Sequence, residues 1–254
     1  MVLGMFAVRS LDETDDVMFP SPATGTNAIR FDAADGANVS RATATGITVS
    51  VSTDGKLDNV ATVRGIKAAL YVTDCRLAFA CSKYDKGGGW VGGAMSLVLN
   101  AGSKILAAVR SGGTVLTGHV RYAWLHQVGG HEKEGFLDEE KLRVVVSRRV
   151  DGELRNVYLD FTLPSDVSGP AIAAEVVRRA AHYRLDAGES LDADVSGQLT
   201  GLTQVAPLAS EKGRFAMHRM PGAWPVSAAS ADLRALLERK RAEDASALGS
   251  EGSE

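Results

Sequence analysis

One pattern restricts this chain more than any other. Apolar residues recur with a period of two in run after run, each run closed by turn residues, and a period near 3.6 takes over once, late in the sequence. A period of two is the signature of half-buried strands, because successive side chains leave opposite faces of the pleat. Ile47, Val49 and Val51 alternate with Thr48 and Ser50 until Asp54-Gly55 ends the run. Ile66 to Val72 leads into Thr73-Asp74, after which Leu77, Phe79 and Cys81 face away from Arg76, Ala78 and Ala80; this is a hairpin. Met95, Leu97 and Leu99 alternate up to Asn100-Ala101-Gly102. A long strand is expected from Thr114 to about Leu125, with Leu116, Val120, Tyr122 and Trp124 on one face and Gly118 leaving room there for a large neighbour. Leu142, Val144 and Val146 form the next run. Asp151-Gly152 is a two-residue hairpin signal, and Val157, Leu159, Phe161 and Leu163 close the strand region at Pro164.

The change of period marks a helix. Ser168 or Ser165 supplies an N-cap and Pro170 suits the first turn. Ile172, Val176, Ala180 and Tyr183 recur near helical spacing, and Gly188 stands where a left-handed C-terminal residue belongs. Ser103 to Arg110 reads either as a short helix or as strand. Glycines crowd at Gly87 to Gly93 and pair at Gly112-Gly113 and Gly129-Gly130, where turns are expected. Beyond Glu189 the leucines are spread too thinly for a separate core but can lie against the first domain. Ser230 then caps a narrow stripe of Leu233, Leu236 and Leu237. The organisation that results is a partly ordered N-terminal segment (1–44), a domain over 45–188, and a C-terminal extension (189–254) with a short helix near 230–245 and a disordered end.

Composition narrows the class. The 254 residues carry 28 Lys and Arg against 31 Asp and Glu, for a formal net charge of -3, and 45% of them are hydrophobic. That supports a sizeable core and excludes collagen-like, fully disordered and disulfide-scaffold chains. No apolar run reaches the roughly 20 residues that span a bilayer. Met1 to Val8 is too short and too poor in basic residues for a secretory signal. With only Cys75 and Cys81 to oxidise, the expected location is the reducing cytoplasm.

About seven strands of antiparallel meander followed by one amphipathic helix is the order of a pleckstrin-homology-like (PH-like) barrel, in which the helix closes one end of two packed sheets. The run Ala69-Leu70-Tyr71-Val72-Thr73-Asp74-Cys75-Arg76-Leu77-Ala78-Phe79 resembles the hairpin of GRAM and bacterial PH-like domains, and Lys83 to Trp90 resembles a longer loop in actinobacterial proteins of that type. The resemblance spans roughly residues 45 to 187. It implies a mainly β (α+β) barrel of about seven antiparallel strands capped by a C-terminal helix, acting by binding rather than by chemistry. In such a hairpin Thr73 and Asp74 can hold the reversal through nearby backbone, while Arg76 can pair with Asp74 or cover the barrel rim. The chain lacks the dense basic cluster that phosphoinositide-binding PH domains carry in an early hairpin loop.

Candidate chemistry is sparse. His126 and His131 lie with Glu132 and Glu134 in one stretch that could hold a metal, but the histidines are five apart across Gly-Gly and no third ligand motif accompanies them; a polar hairpin loop is the alternative. The Gly87 to Gly93 cluster matches no phosphate-binding motif and reads as a hairpin tip, on which Lys83, Lys86 and Trp90 would suit an anionic head group or an acidic partner. Cys75 and Cys81 read as packed thiols, and no G-x-S-x-G occurs. Lys141, Arg143, Arg148, Arg149 and Arg155 line an outward strand face, with Arg178, Arg179 and Arg184 on the helix, although Asp151, Glu153 and Glu175 dilute them. Nucleic acid is therefore not the expected partner. Trp224, in the rigid segment Met220 to Pro225, is a further contact candidate.

The expectation is a non-catalytic adaptor or protein scaffold with no cofactor, using Lys83, Lys86, Trp90, Arg143, Arg148 and Trp224. The alternatives are a peripheral membrane module for anionic lipid and a small metal-dependent enzyme using His126 and His131.

Overall fold

Eight strands and two α-helices make up the described part of the protein, which in a computed structural model comprises residues 31, 35–53, 56–81, 116–150, 153–187, 191–210 and 213–226. The strands are β1 (Ser40–Thr53), β2 (Lys56–Val72), β3 (Arg76–Cys81), β4 (Leu116–Arg121), β5 (Leu125–His131), β6 (Glu140–Val150), β7 (Glu153–Leu163) and β8 (Ala216–Arg219). The helices are α1 (Gly169–Asp186) and α2 (Ala193–Leu202). All strands belong to one sheet in the order β4-β3-β2-β1-β7-β6-β5-β8, and every neighbouring pair is antiparallel. The protein is thus mainly β, as the alternation predicts.

The turn signals set the register. Thr53 pairs with Lys56 and Val150 with Glu153, so Asp54-Gly55 and Asp151-Gly152 are each the two residues between paired strands. Gly118 lies opposite Phe79. Phe79 in turn meets Phe161 edge to face, ring centroids 5.5 Å apart. Around them Leu70, Leu77, Val120, Leu142, Val144 and Leu159 form the buried core, and α1 lays Val176, Val177, Ala180 and Ala181 on it.

Helix α1 starts where its cap residues dictate. The Ser168 hydroxyl accepts from Ala171 N at 3.3 Å and Pro170 occupies the first turn. At its far end Arg184 is buried and donates to the carbonyls of Pro221 and Gly222 at 2.5 and 2.8 Å. Arg178 donates to Val205 O at 2.8 Å. These bonds, with Leu199 of α2 buried in the core, hold 191–210 and 213–226 against the sheet and α1, while β8 extends the sheet along β5. No helix among the described residues is long and apolar enough to cross a membrane.

Two sequence expectations are corrected. The long strand over 114–125 is split: after β4, Tyr122–Trp124 form a single 3₁₀ turn whose three side chains are all buried, which a straight strand with alternating faces does not permit. The Tyr122 hydroxyl donates to Thr73 O at 2.7 Å and fixes the break. The Gly129-Gly130 pair is no turn but lies within β5, near its end. A Cβ on Gly130 would lie 2.1 Å from Pro170 N, so the glycine lets the start of α1 close onto the strand. The N-terminal stretch before Phe31, the strand over Met95 to Leu99, the segment Ser103 to Arg110, Gly188 and the 230–245 helix lie outside the described residues.

Candidate functional site

The hairpin motif that carries the family resemblance is an inward-facing polar knot. The Thr73 hydroxyl accepts from Cys75 N at 3.2 Å and Arg76 N at 3.0 Å and donates to Arg76 O at 2.9 Å, so one side chain closes the reversal. Arg76 neither pairs with Asp74 nor covers a rim. Its side chain is fully buried, and it binds the equally buried carboxylate of Asp35 through Nε, at 2.7 Å, and Nη2. A guanidinium taken out of water needs a bidentate counter-charge, and the carboxylate comes from a segment 41 residues upstream rather than from the turn itself. Asp74 points the other way, to Arg179 of α1 at 3.0 Å, and Arg179 also binds Ser40 and Glu175.

Burial sets the protonation states of this knot. Burial first and Asp35 second push the Cys75 thiol up to about 12, so it is an inert packed thiol. His119, 3.5 Å from Arg76 Nη1 and stacked on Trp124, is held well below the usual imidazole range by burial and then by Arg76 and Arg121. The knot fastens the chain to itself and exposes no reactive group.

The β5–β6 loop is built on the opposite plan. It runs Glu132-Lys133-Glu134-Gly135-Phe136-Leu137-Asp138-Glu139, and Glu140 opens β6. The Asp138 carboxylate is its hub, accepting from Glu134 N and Glu139 N at 2.9 Å each and meeting His131 Nε2 at 2.7 Å. Those backbone donors, Glu134 first, and the His131 contact lower the Asp138 pKa to about 2. Glu140 accepts from Lys133 N at 3.0 Å and, through its other oxygen, from Gly169 N at 3.1 Å, which ties the loop to the start of α1. Ser210 accepts from Glu132 N at 2.9 Å. Gly135 has φ +96°, a left-handed conformation that favours glycine. From this braced loop Phe136 and Leu137 stand 94% and 95% exposed.

His126 and His131 stand at opposite ends of β5, a rise of roughly 16 Å at strand geometry, with His131 engaged by Asp138. The stretch from His126 to Gly130 is therefore strand rather than hairpin loop. Among the described residues no group of three or more His, Cys, Asp or Glu is close enough to hold a metal ion. His126 borders a half-open cavity of about 410 Å³ at the far end of the sheet, with Ser52, Ser147, Asn156, Leu154 and Pro225. Its Nδ1 is buried and has no hydrogen-bond partner among the described residues, and burial followed by Arg219 lowers its pKa. This cavity has the size of a small-molecule site, but its lining is mostly polar where such sites are mostly apolar.

Of the residues expected to bind, Lys83, Lys86 and Trp90 lie outside the described residues. Arg143 is on the outward face but committed: it forms a two-point pair with Asp160 at 2.7 and 2.6 Å and lies 3.9 Å from the Phe215 ring centroid. Arg148 pairs across the β6–β7 hairpin with Arg155, which itself binds Glu153 at 2.9 Å. Trp224 is half-buried against the core, and its N–H donates to Ala123 O at 3.0 Å. Arg143 and Arg155 on the strands, and Arg178, Arg179 and Arg184 on α1, are thus used internally.

Sequence reasoning missed Phe136 and Leu137. The signal was present, as two adjacent large apolar residues inside a run of charges belong to neither a core period nor a solvated loop. Comparison of the chain with protein-family models, with curated proteins and with solved structures returned no match.

Proposed function

We propose that this protein is a non-catalytic adaptor of PH-like architecture that binds a protein partner through Phe136 and Leu137. The strand order β4-β3-β2-β1-β7-β6-β5, with α1 packed on β5 and β6, supports the PH-like reading, and barrel closure is part of the proposal. One observation carries the binding function: two large apolar side chains are almost fully in water on a loop that is braced internally and tied to α1. Single exposed apolar residues are commonplace. An adjacent pair held out by a dedicated carboxylate hub is the kind of anchor that interfaces use. Burying each side chain on a partner would contribute roughly 1.5–3 kcal/mol, with little ordering cost because the loop is already in shape.

The anionic-lipid alternative is weaker. Arg143, Arg155 and Arg179 each face a carboxylate of the same chain, and the apolar tip is ringed by acidic residues that an anionic bilayer repels. Replacing Phe136 with a photo-crosslinking phenylalanine analogue in cells should yield a discrete protein adduct. The identified partner, purified, should bind wild-type protein and lose affinity for the double variant F136S/L137S. Binding that is indifferent to both substitutions would remove this reading, as would flotation of the protein with anionic vesicles at low salt in place of any protein adduct.

A further inference from the structure

We infer that the surface receiving Phe136 and Leu137 is an apolar socket rimmed by Lys and Arg on a basic protein, an inference that rests on the protein-binding reading above. From Glu132 to Glu140 the loop carries five carboxylates against the single Lys133. Two of the five are spent on geometry, Asp138 as hub and Glu140 as the brace to Lys133 and α1. Glu132, Glu134 and Glu139 are exposed, and among the described residues none of them forms an ion pair. Together they flank the two apolar residues in sequence with negative charge.

This arrangement selects by repulsion as much as by attraction. Phosphate backbones, anionic head groups and acidic partners are kept from the tip, while a cationic rim is steered onto it and then desolvated around the two anchors. A second copy of this chain fits poorly as the occupant, since with 28 Lys and Arg against 31 Asp and Glu it is not a basic protein. The rigidity of the loop points the same way: a preformed tip suits a preformed socket or a short basic segment that folds around it.

The test uses the full-length protein as bait for phage-displayed random peptides. Enriched peptides should combine apolar residues with an excess of Lys and Arg. A synthetic copy of the strongest should bind the F136S/L137S variant at least about tenfold more weakly than wild type. Its affinity for wild type should fall as salt rises, and the triple variant E132Q/E134Q/E139Q should flatten that salt dependence while keeping the apolar contribution. Circular dichroism melts of both variants establish that they are folded. If the selected peptides depend on Phe136 and Leu137 but are neutral or acidic, or insensitive to salt, the basic-socket inference fails and the protein-binding reading survives. Should peptide binding ignore the double substitution, both fail. Binding to phosphatidylserine-containing vesicles that requires Phe136 and Leu137 would overturn the inference in favour of a membrane.

Discussion

The β2–β3 turn and the β5–β6 loop each rest on one aspartate, and they use it to opposite ends. Asp35 is drawn from outside its turn to neutralise a fully buried Arg76, and the polar groups around it face inward. Asp138 belongs to its own loop, binds donors within seven residues of itself, and stays partly in water while the apolar residues beside it face out. The first region sacrifices hydration to join distant segments. The second keeps its charges hydrated and leaves apolar surface uncovered, which the proposed partner would cover. Burial by itself therefore separates the knot that holds the fold from the tip proposed to bind.

The largest effect should come from breaking the knot. Asp35→Ala removes a bidentate carboxylate from a buried guanidinium and should cost about 3–5 kcal/mol, read as a lower urea midpoint at unchanged slope. A variant in which both Asp35 and Arg76 are replaced by apolar residues should recover much of that loss. A single substitution without measurable cost would show that Asp35 does not compensate Arg76.

Helix α1 provides an intermediate case. Ser168→Ala deletes the cap hydrogen bond to Ala171 and should cost about 1 kcal/mol, with Glu140 still holding Gly169 N.

Acid should act on both regions in sequence. His119, His126 and His218 all have pKa values below the ordinary 6.5, so the unfolded chain binds protons that the folded chain refuses. Their contribution is complete above 6.5 and declines as pH falls beneath it. Asp138, lowered from 3.8 to about 2, adds stability above 3.8 that is lost between those two values. Urea midpoints should be level between about pH 7 and 8 and fall steadily below 6.5. His119→Gln should reduce the slope between neutral pH and 5, whatever it does to absolute stability; an unchanged slope would remove His119 from the account.

The smallest effect on stability is expected at the tip. F136S/L137S should change the unfolding free energy by no more than about 0.5 kcal/mol, because neither side chain is packed. A loss of several times that size would mean the pair has an internal contact and would collapse the contrast between the two regions.

Much of the fold was legible in advance. The strands around Leu77, Val144 and Phe161 follow from alternation, their turns from Asp-Gly pairs, and α1 from Ser168, Pro170 and the apolar positions after them. The break at Tyr122 was not legible, since a residue sequence offers no sign that a phenol will seek the carbonyl of Thr73 across the sheet. Gly129-Gly130 misled for a related reason: glycine pairs mark turns, and here they mark where α1 and β8 press on a strand. The candidate site was the least legible part. Arg143 and Arg148 looked available as members of an outward stripe, yet Arg143 meets Asp160 only through strand pairing. Phe136-Leu137 stands out in sequence only as an apolar pair within a charged loop, and only the fold shows that it is left in water.

The amino-acid sequence alone determined that the chain forms antiparallel strands followed by a capped amphipathic helix, because side-chain period and turn chemistry are local properties. Tertiary structure alone decided which charges are consumed and which are offered, with Asp35 seated on Arg76, Asp160 on Arg143, and the Asp138 loop braced so that Phe136 and Leu137 remain in water. Partners so far apart in sequence are chosen by where the folded sheet brings them and by the high cost of leaving a buried charge alone, and no local pattern encodes either.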